Sequence, residues 1–157
     1  MEFPVKTGAP ARQRTECAIL PVFDDARLHG ATADFDTAAR GAIKKLVRGG
    51  DALARLGSTS LIHRTQGTAA VRWLLVGCGK RSDFSAKKLT TALAAAVNAL
   101  RSGGTKEATS YLGYGAGLME MPPVSNVTPL PHSAIGACFA GAPRYRSTIR
   151  RGGSLAP

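Results

Sequence analysis

The 157-residue chain is predicted to form a three-layer α/β domain, with a mixed β-sheet between helices. Apolar segments of strand length alternate with segments of helical periodicity, which is typical of this class. One strand candidate is apolar at consecutive positions, as expected for a strand buried on both faces of a sheet. The length and the 44% hydrophobic content are sufficient for one buried core without disulfide or metal staples.

The first two elements are predicted to be strands. Residues 2–6 form a short candidate that ends at Thr7 and Gly8. Residues 17–23 (CAILPVF) form a second candidate, in which Pro21 favours a sheet edge or a bulge near the strand's end.

A helix is predicted over residues 34–47, where apolar side chains recur at helical spacing. Asp34 and Asp36 would lie in its first turn, where carboxylates suit the positive end of the helix dipole. Gly49 and Gly50 supply its end.

Four further elements complete the order β-β-α-β-β-α-β. Residues 60–64 and 71–76 are predicted strands, and the second is broken by Gly77-Cys78-Gly79. Residues 85–101 form a predicted helix, and residues 107–112 form the last strand.

The composition changes near Gly113, which divides the chain into residues 1–112 and 113–157. The second segment holds six of the nine prolines and seven of the eighteen glycines, with no Lys and no Asp. No period of 2 or 3.6 is sustained in it, so an irregular, disordered tail is predicted. Its residues have GC-rich codons, as a shifted reading frame in a GC-rich gene would produce.

The charge and cysteine content limit the classes of partner and compartment. The formal net charge of +11 favours polyanionic partners. Cys17, Cys78 and Cys138 are odd in number and form no Cys-x-x-Cys pair, and no signal peptide precedes them. Reduced thiols and a cytoplasmic location are expected. The apolar runs are far shorter than the about 20 residues that a membrane span needs, so no membrane partner is predicted.

The predicted nucleic-acid contacts are Arg40, Lys44, Lys45 and Arg48. Three of them are spaced i, i+4, i+8, so one face of the predicted helix would present a row of cations that can track phosphates. The alternative is an ordinary solvated face whose cations suit the helix C-terminus. A second basic cluster with the same two interpretations comprises Lys80, Arg81, Lys87 and Lys88.

No catalytic residue and no metal ligand is predicted. The segment Gly77-Cys78-Gly79-Lys80 lies between a strand and a helix, where anions often bind, but it lacks the spacing of a phosphate loop. A tight turn, with Cys78 as an inert small hydrophobe, is the favoured interpretation. The histidines His29, His63 and His132 are isolated in the sequence and show no zinc spacing.

Several segments of residues 1–112 resemble a known family in order and spacing. MEFPVKTGAPARQRTECAILPVF, KKLVRGGD, STSLIHR, VRWLLVGCGK and EATSYL resemble the N-terminal domain of bacterial cytosolic leucyl aminopeptidases. The resemblance stops near Leu112. It implies a fold similar to macro domains, with the last helix missing here.

The resemblance also implies an activity for the full-length family enzyme. That enzyme is a hexameric exopeptidase which removes N-terminal residues such as leucine from peptides, using two divalent metals (Zn²⁺ or Mn²⁺). Its metal ligands, catalytic residues and NTDAEGRL motif belong to a C-terminal catalytic domain, and this sequence contains no such motif. The chain is therefore expected to be a truncated or frameshifted N-terminal domain, inactive alone, whose partners would be a catalytic domain and five further copies.

Two other functions are consistent with the sequence. Some bacterial members of the resembled family bind DNA during site-specific recombination, so a basic DNA-binding module is the main alternative. A module for an ADP-ribose-type ligand is a weaker one, because it depends on fold alone.

Overall fold

The protein is described by a computed structural model over residues 9–25, 27–63, 66–102, 105–113 and 147–150. Its helices and strands, in chain order, are β1 (Thr15–Phe23), α1 (Gly30–Ala38), α2 (Ala42–Gly49), β2 (Thr59–His63), β3 (Ala70–Gly79), α3 (Ala86–Ser102), β4 (Glu107–Ser110) and β5 (Ser147–Arg150). Short 3₁₀ turns cover Pro10–Arg12 and Arg81–Asp83. In these described stretches, no helix combines the length and apolar character that crossing a bilayer requires.

The strands form one mixed sheet in the order β2-β3-β1-β4-β5. Strand β1 is parallel to β3 and to β4, whereas β2 runs antiparallel to β3 and β5 antiparallel to β4. Both faces of the sheet are covered by helices. The predicted fold class, a three-layer α/β domain with a mixed sheet, is confirmed.

Two apolar cores lie on the two faces of the sheet. On one face, Ile19, Leu74 and Val76 pack with α3 residues such as Leu93. On the other, Leu20 and Trp73 pack with Phe35 of α1 and Ile43 of α2. The alternation of β1 side chains between the two cores follows from the period of two in a strand.

The predicted single helix over residues 34–47 is wrong, because the chain forms two helices there. The break is at Arg40 and Gly41, whose φ angles are +54° and +81°. Both values are left-handed, so the helical hydrogen-bond pattern cannot continue through them. The apolar side chains of both helices still contact one core, because α1 and α2 pack on the same face of the sheet.

Strand β3 is longer than predicted and runs through Gly77, Cys78 and Gly79. The predicted turn at these residues is therefore wrong. A side chain at Gly77 would meet the backbone oxygens of Leu53 and Arg55 and the hydroxyl of Ser58. The glycine thus lets the segment before β2 pack directly against the end of β3.

The remaining predictions concern the two ends of the chain. The strand predicted over residues 2–6 lies outside the described residues. Most of the segment 113–157 also lies outside them, and so does the prediction that the last helix is missing. Within that segment, Ser147–Arg150 forms β5, an element that the sequence analysis did not predict. It pairs with β4 in the register Glu107–Arg150 to Ser110–Ser147.

Candidate functional site

The four predicted nucleic-acid contacts lie around the junction between α1 and α2, and all four are exposed. Lys44, Lys45 and Arg48 belong to α2, whereas Arg40 lies in the left-handed turn before it. The predicted row of Arg40, Lys44 and Arg48 is therefore not formed on one helix, because Arg40 precedes α2. The structure brings the four residues to one region of the surface without aligning them on one helix.

The dipole explanation for these cations does not hold for the two lysines. Helix α2 begins at Ala42, so Lys44 and Lys45 lie in its first turn, where the dipole disfavours positive charge. Arg48 alone lies in the last turn.

The prediction that Asp34 and Asp36 lie in the first turn of a helix is wrong, because α1 begins at Gly30 and both residues come after its first turn. Asp36 Oδ1 instead accepts the backbone N–H of Lys44 at 2.9 Å, in the first turn of α2.

Beside this junction lies a surface cleft, which we call the α1–α2 cleft. It comprises two adjoining cavities of about 440 and 400 Å³ that share Ala39, Ala42, Lys45 and Gln66. The first cavity is also lined by Arg40, and the second by Asp51 and Trp73.

One side of the cleft is lined by Gln66 and Gly67, which precede β3. Gly67 has a φ of +78°, and a side chain there would overlap the backbone of Ala38 and Ala39. The absence of a side chain lets this segment reach the end of α1. Gln66 and Lys45 both line the two cavities.

A hydrogen-bonded network that the sequence analysis missed lies at the carboxyl ends of β1 and β3. Arg81 donates to Nδ1 of His29 at 3.2 Å, and His29 Nε2 lies 2.7 Å from Oδ2 of Asp25. Because a guanidinium only donates, the imidazole accepts at Nδ1 and donates at Nε2. Burial alone would raise the pKa of Asp25, but the hydrogen bond from His29 and the nearby positive charge outweigh it and lower that pKa.

This network engages both ring nitrogens of His29. While the network is intact, His29 therefore has no nitrogen available as a base or metal ligand. Phe23 also packs edge-on against His29 and Phe84, which fixes the loop after β1. The network therefore ties two loops together. His29, which is isolated in the sequence, has hydrogen-bond partners in the structure. The sequence did not reveal the contact with Arg81, because the two residues lie 52 positions apart in the chain.

The cysteines of the described region are buried in the core. Burial raises the pKa of the Cys17 thiol and of the Cys78 thiol to about 12, so both remain protonated at neutral pH. This agrees with the interpretation of Cys78 as a small core hydrophobe. Across the described stretches, no three His, Cys, Asp or Glu side chains converge as a metal ion would need.

The sheet order and the helices on both faces define the class of this protein as a macro-like α/β domain. The macrodomain of Mycobacterium tuberculosis DarG has the same fold, with a TM-score of 0.52 over 64% of this chain and 69% of that one. The sequence identity is 15%, so the similarity concerns the fold alone.

The sequence places the chain in a particular family. Residues 19–120 match the model of the N-terminal domain of the cytosol aminopeptidase family, and the chain belongs to that family. It is 40% identical over 112 residues to a probable cytosol aminopeptidase of Chromobacterium violaceum and 38% identical to one of Dechloromonas aromatica. Each match covers 71% of this chain and 22% of the relative, so the chain spans about a fifth of the length of these relatives.

Proposed function

We propose that this chain acts as a non-catalytic N-terminal domain that supports the catalytic domain of a cytosol aminopeptidase. The observation that carries the proposal is the match of residues 19–120 to the N-terminal domain of that family. The arrangement of the fold supports it, since the buried side chains serve two apolar cores on the faces of one sheet. In this role the domain would provide a rigid contact surface for the catalytic domain, and the catalytic domain would carry out the hydrolysis.

The resemblance to the family also suggests the oligomeric state, the compartment and the metals of the complete enzyme. The complete assembly would be a homohexamer in the cytoplasm, and its peptide hydrolysis would use two divalent metals, Zn²⁺ or Mn²⁺. Two-metal hydrolysis needs several carboxylates that converge on ions about 3.5–4 Å apart. In the catalytic domain these ligands would hold the metals and position the peptide, while the present chain contributes no ligand.

The purified 157-residue chain is expected to release no chromogenic product from a leucine amide substrate, with either Mn²⁺ or Zn²⁺ added. Without a site that positions metals and substrate together, most of the rate enhancement of such hydrolysis is lost. The assay includes a full-length relative as the positive control and a mock purification as the blank. Metal-dependent product release that follows the chain through purification would contradict the proposal.

A chimera tests the supporting role directly. Residues 1–112 replace only the aligned segment of the Chromobacterium violaceum relative, to which this chain is 40% identical over 112 residues, and the rest of that relative is kept. We expect the chimera to keep metal-dependent activity and the oligomeric state of the parent, measured by substrate turnover and by light scattering. The matched control carries Gly77→Ala, which disrupts the packing of this domain. Equal activity and assembly in both chimeras would show that the domain's fold plays no part.

A second candidate function is duplex DNA binding through Arg40, Lys44, Lys45 and Arg48. The observation that favours it is the position of Lys44 and Lys45 in the first turn of α2, where the helix dipole adds to their positive potential. All four side chains are exposed, so a phosphate backbone could reach them.

The DNA-binding hypothesis predicts a change in salt dependence. Replacing the four residues by alanine is expected to flatten the slope of log affinity against log salt by about 0.9 for each phosphate that the variant no longer neutralises. A matched control replaces Arg12, Arg14, Arg55 and Lys87, four exposed basic residues outside α2 and the turn before it, and removes the same charge. The measurement is a fluorescence-anisotropy titration at several salt concentrations. If the affinity and the slope fall equally in the two variants, DNA binding is not localised at α2.

A further inference from the structure

His29 lies between two loops, the one that follows β1 and the one that follows β3. Its Nε2 is 2.7 Å from Oδ2 of Asp25 on its own loop, and its Nδ1 accepts from the guanidinium of Arg81 on the other loop at 3.2 Å. The side chain of His29 is 19% exposed, so a proton from the solvent can reach the ring. The imidazole is thus held between an acid and a cation at a position that water can enter.

The contact between Nδ1 and Arg81 exists only while the imidazole is neutral. A guanidinium donates and never accepts, so Nδ1 must offer it a lone pair. When the ring binds a second proton, that proton takes the same lone pair, and both ring nitrogens then donate. The contact with Arg81 becomes a repulsion between two cations, whereas the contact with Asp25 becomes an ion pair. A proton and Arg81 therefore compete for one atom.

The other charged groups of the two loops do not take part in this competition. Four such residues belong to the loops, and within the described part of the chain the structure gives none of their side chains a contact with the imidazole. They are Asp24, Arg27, Lys80 and Asp83. Asp83 is engaged by Lys88 of α3, with 3.1 Å between Nζ and Oδ2. Asp25 and Arg81 are thus the charged partners that respond when His29 is protonated.

Two further contacts join the loops and do not depend on the charge of His29. The backbone N–H of Asp24 donates to Gly79 O at 3.2 Å, and the rings of Phe23 and Phe84 pack edge-on with centroids 5.3 Å apart. These contacts keep the ends of β1 and β3 together whether or not the imidazole is charged. The guanidinium of Arg81, by contrast, has His29 as its one side-chain partner among the described residues. Its side chain is free to move once that hydrogen bond is broken.

We propose that His29 is a pH-sensitive switch that controls the position of Arg81. Near neutral pH, the neutral imidazole binds the guanidinium and joins the turn at Arg81–Asp83 to the loop after β1. At lower pH, His29 binds a proton at Nδ1, keeps its contact with Asp25 and releases Arg81 to the solvent. Histidine is the side chain that ordinarily titrates between about pH 5 and 8, so the switch acts in that interval. This inference is independent of the role proposed for the whole domain.

Nuclear magnetic resonance of the full 157-residue chain follows both partners of the switch from about pH 8 to about pH 5. Long-range ¹H–¹⁵N spectra show which imidazole nitrogen carries the proton, and ¹⁵N relaxation at Nε reports the mobility of the Arg81 side chain. We expect neutral His29 to carry its proton on Nε2. The mobility of Arg81 is expected to rise with the same midpoint as the protonation of His29. His63, an exposed histidine at the end of β2, serves as the internal control.

Three variants separate the hydrogen bond from the general charge of the surface. Arg81→Ala removes the competitor for Nδ1 and is expected to move the midpoint of the His29 titration upward by about 0.5–1 pH unit. The matched control Lys80→Ala removes the same charge from the adjacent exposed residue and is expected to move it much less, because a charge without a contact is screened. His29→Gln stays neutral at every pH, so the mobility of Arg81 is expected to lose its pH dependence. The titration of His63 should be the same in all three variants.

The results decide the proposal in either direction. Support would consist of matching midpoints for the two side chains, a large upward shift in Arg81→Ala alone, and an Arg81 mobility that is independent of pH in His29→Gln. A neutral imidazole with its proton on Nδ1 would show that the hydrogen bond from Arg81 is absent, and the proposal would be wrong. An Arg81 side chain that is equally mobile at both ends of the pH range, or equal shifts in Arg81→Ala and Lys80→Ala, would also overturn it.

Discussion

Replacing Gly77 by alanine is expected to lower the free energy of unfolding by about 3 kcal/mol or more, because the new methyl group has no space. It would overlap the oxygens of Leu53 and Arg55 and the hydroxyl of Ser58. Two of these three atoms belong to the backbone and cannot rotate away, so the segment 53–58 has to move.

Moving residues 53–58 would also break backbone hydrogen bonds between this segment and the end of β3. The N–H of Gly77 donates to Ser58 O at 2.8 Å, the N–H of Gly57 donates to Gly77 O at 2.9 Å, and the N–H of Gly79 donates to Ala54 O at 2.7 Å. These bonds join the segment that precedes β2 to the end of β3, and buried backbone groups that lose their partners lower the free energy of unfolding. The displacement would also disturb Asp51, which lines the α1–α2 cleft shortly before this segment.

Urea unfolding followed by the fluorescence of Trp73, the single tryptophan of the chain, measures this loss. The matched control is Gly57→Ala in the same segment. A side chain at Gly57 has open space, but its φ of +81° makes alanine strained by about 1–2 kcal/mol. Equal losses at the two glycines would mean that the close approach at Gly77 carries no special cost.

The alternation of strands and helices could be predicted from sequence because the pattern of burial is local. Consecutive apolar residues around Leu74 and Leu75 predict a strand buried on both faces, and β3 is such a strand at an inner position of the sheet. Gly50 ends α2 in a left-handed conformation, as the sequence analysis predicted.

Local rules failed where tertiary packing decides the backbone conformation. Gly41 is the sequence signal for the break between α1 and α2, but the continuous apolar stripe masks it. Of the two alternatives that Pro21 favoured, the sheet edge is not realised, because β1 is an inner strand, whereas the irregularity near the strand's end is present between Val22 and Phe23. Pairing of β1 with β4 extends only from Cys17 to Ile19, so in the described ladder the missing N–H of Pro21 is not needed there.

The candidate sites were less predictable than the fold, because they join residues that are distant in the sequence. The α1–α2 cleft needs Arg40, Gln66 and Asp51 from three different connections. The four basic residues of α2 and its preceding turn were visible in the sequence as a charge pattern. Their exposure is compatible with phosphate contact, which remains a prediction.

Replacing Phe35 by alanine is expected to lower the free energy of unfolding by about 3–5 kcal/mol. Phe35 is fully buried in α1. Its ring packs edge-on against Trp73 of β3, with centroids 6.3 Å apart, and against Tyr111 after β4, with centroids 5.5 Å apart. The truncation therefore leaves a cavity and removes two aromatic interactions together.

Two further variants separate the cavity from the loss of aromatic packing. Phe35→Leu fills most of the volume and is expected to cost about 1.5 kcal/mol, because it removes chiefly the ring–ring interactions. Phe84→Ala removes a partly exposed phenylalanine whose ring lies 5.3 Å from that of Phe23 on the opposite face, and a smaller loss than Phe35→Ala is expected.

Urea unfolding monitored by circular dichroism gives the stabilities, and the emission of Trp73 reports its local packing. Phe35→Ala should change that emission before the global transition, because the indole loses its edge-on contact with the Phe35 ring. If Phe35→Ala and Phe84→Ala cost the same and leave the emission unchanged, Phe35 does not anchor α1 to the sheet.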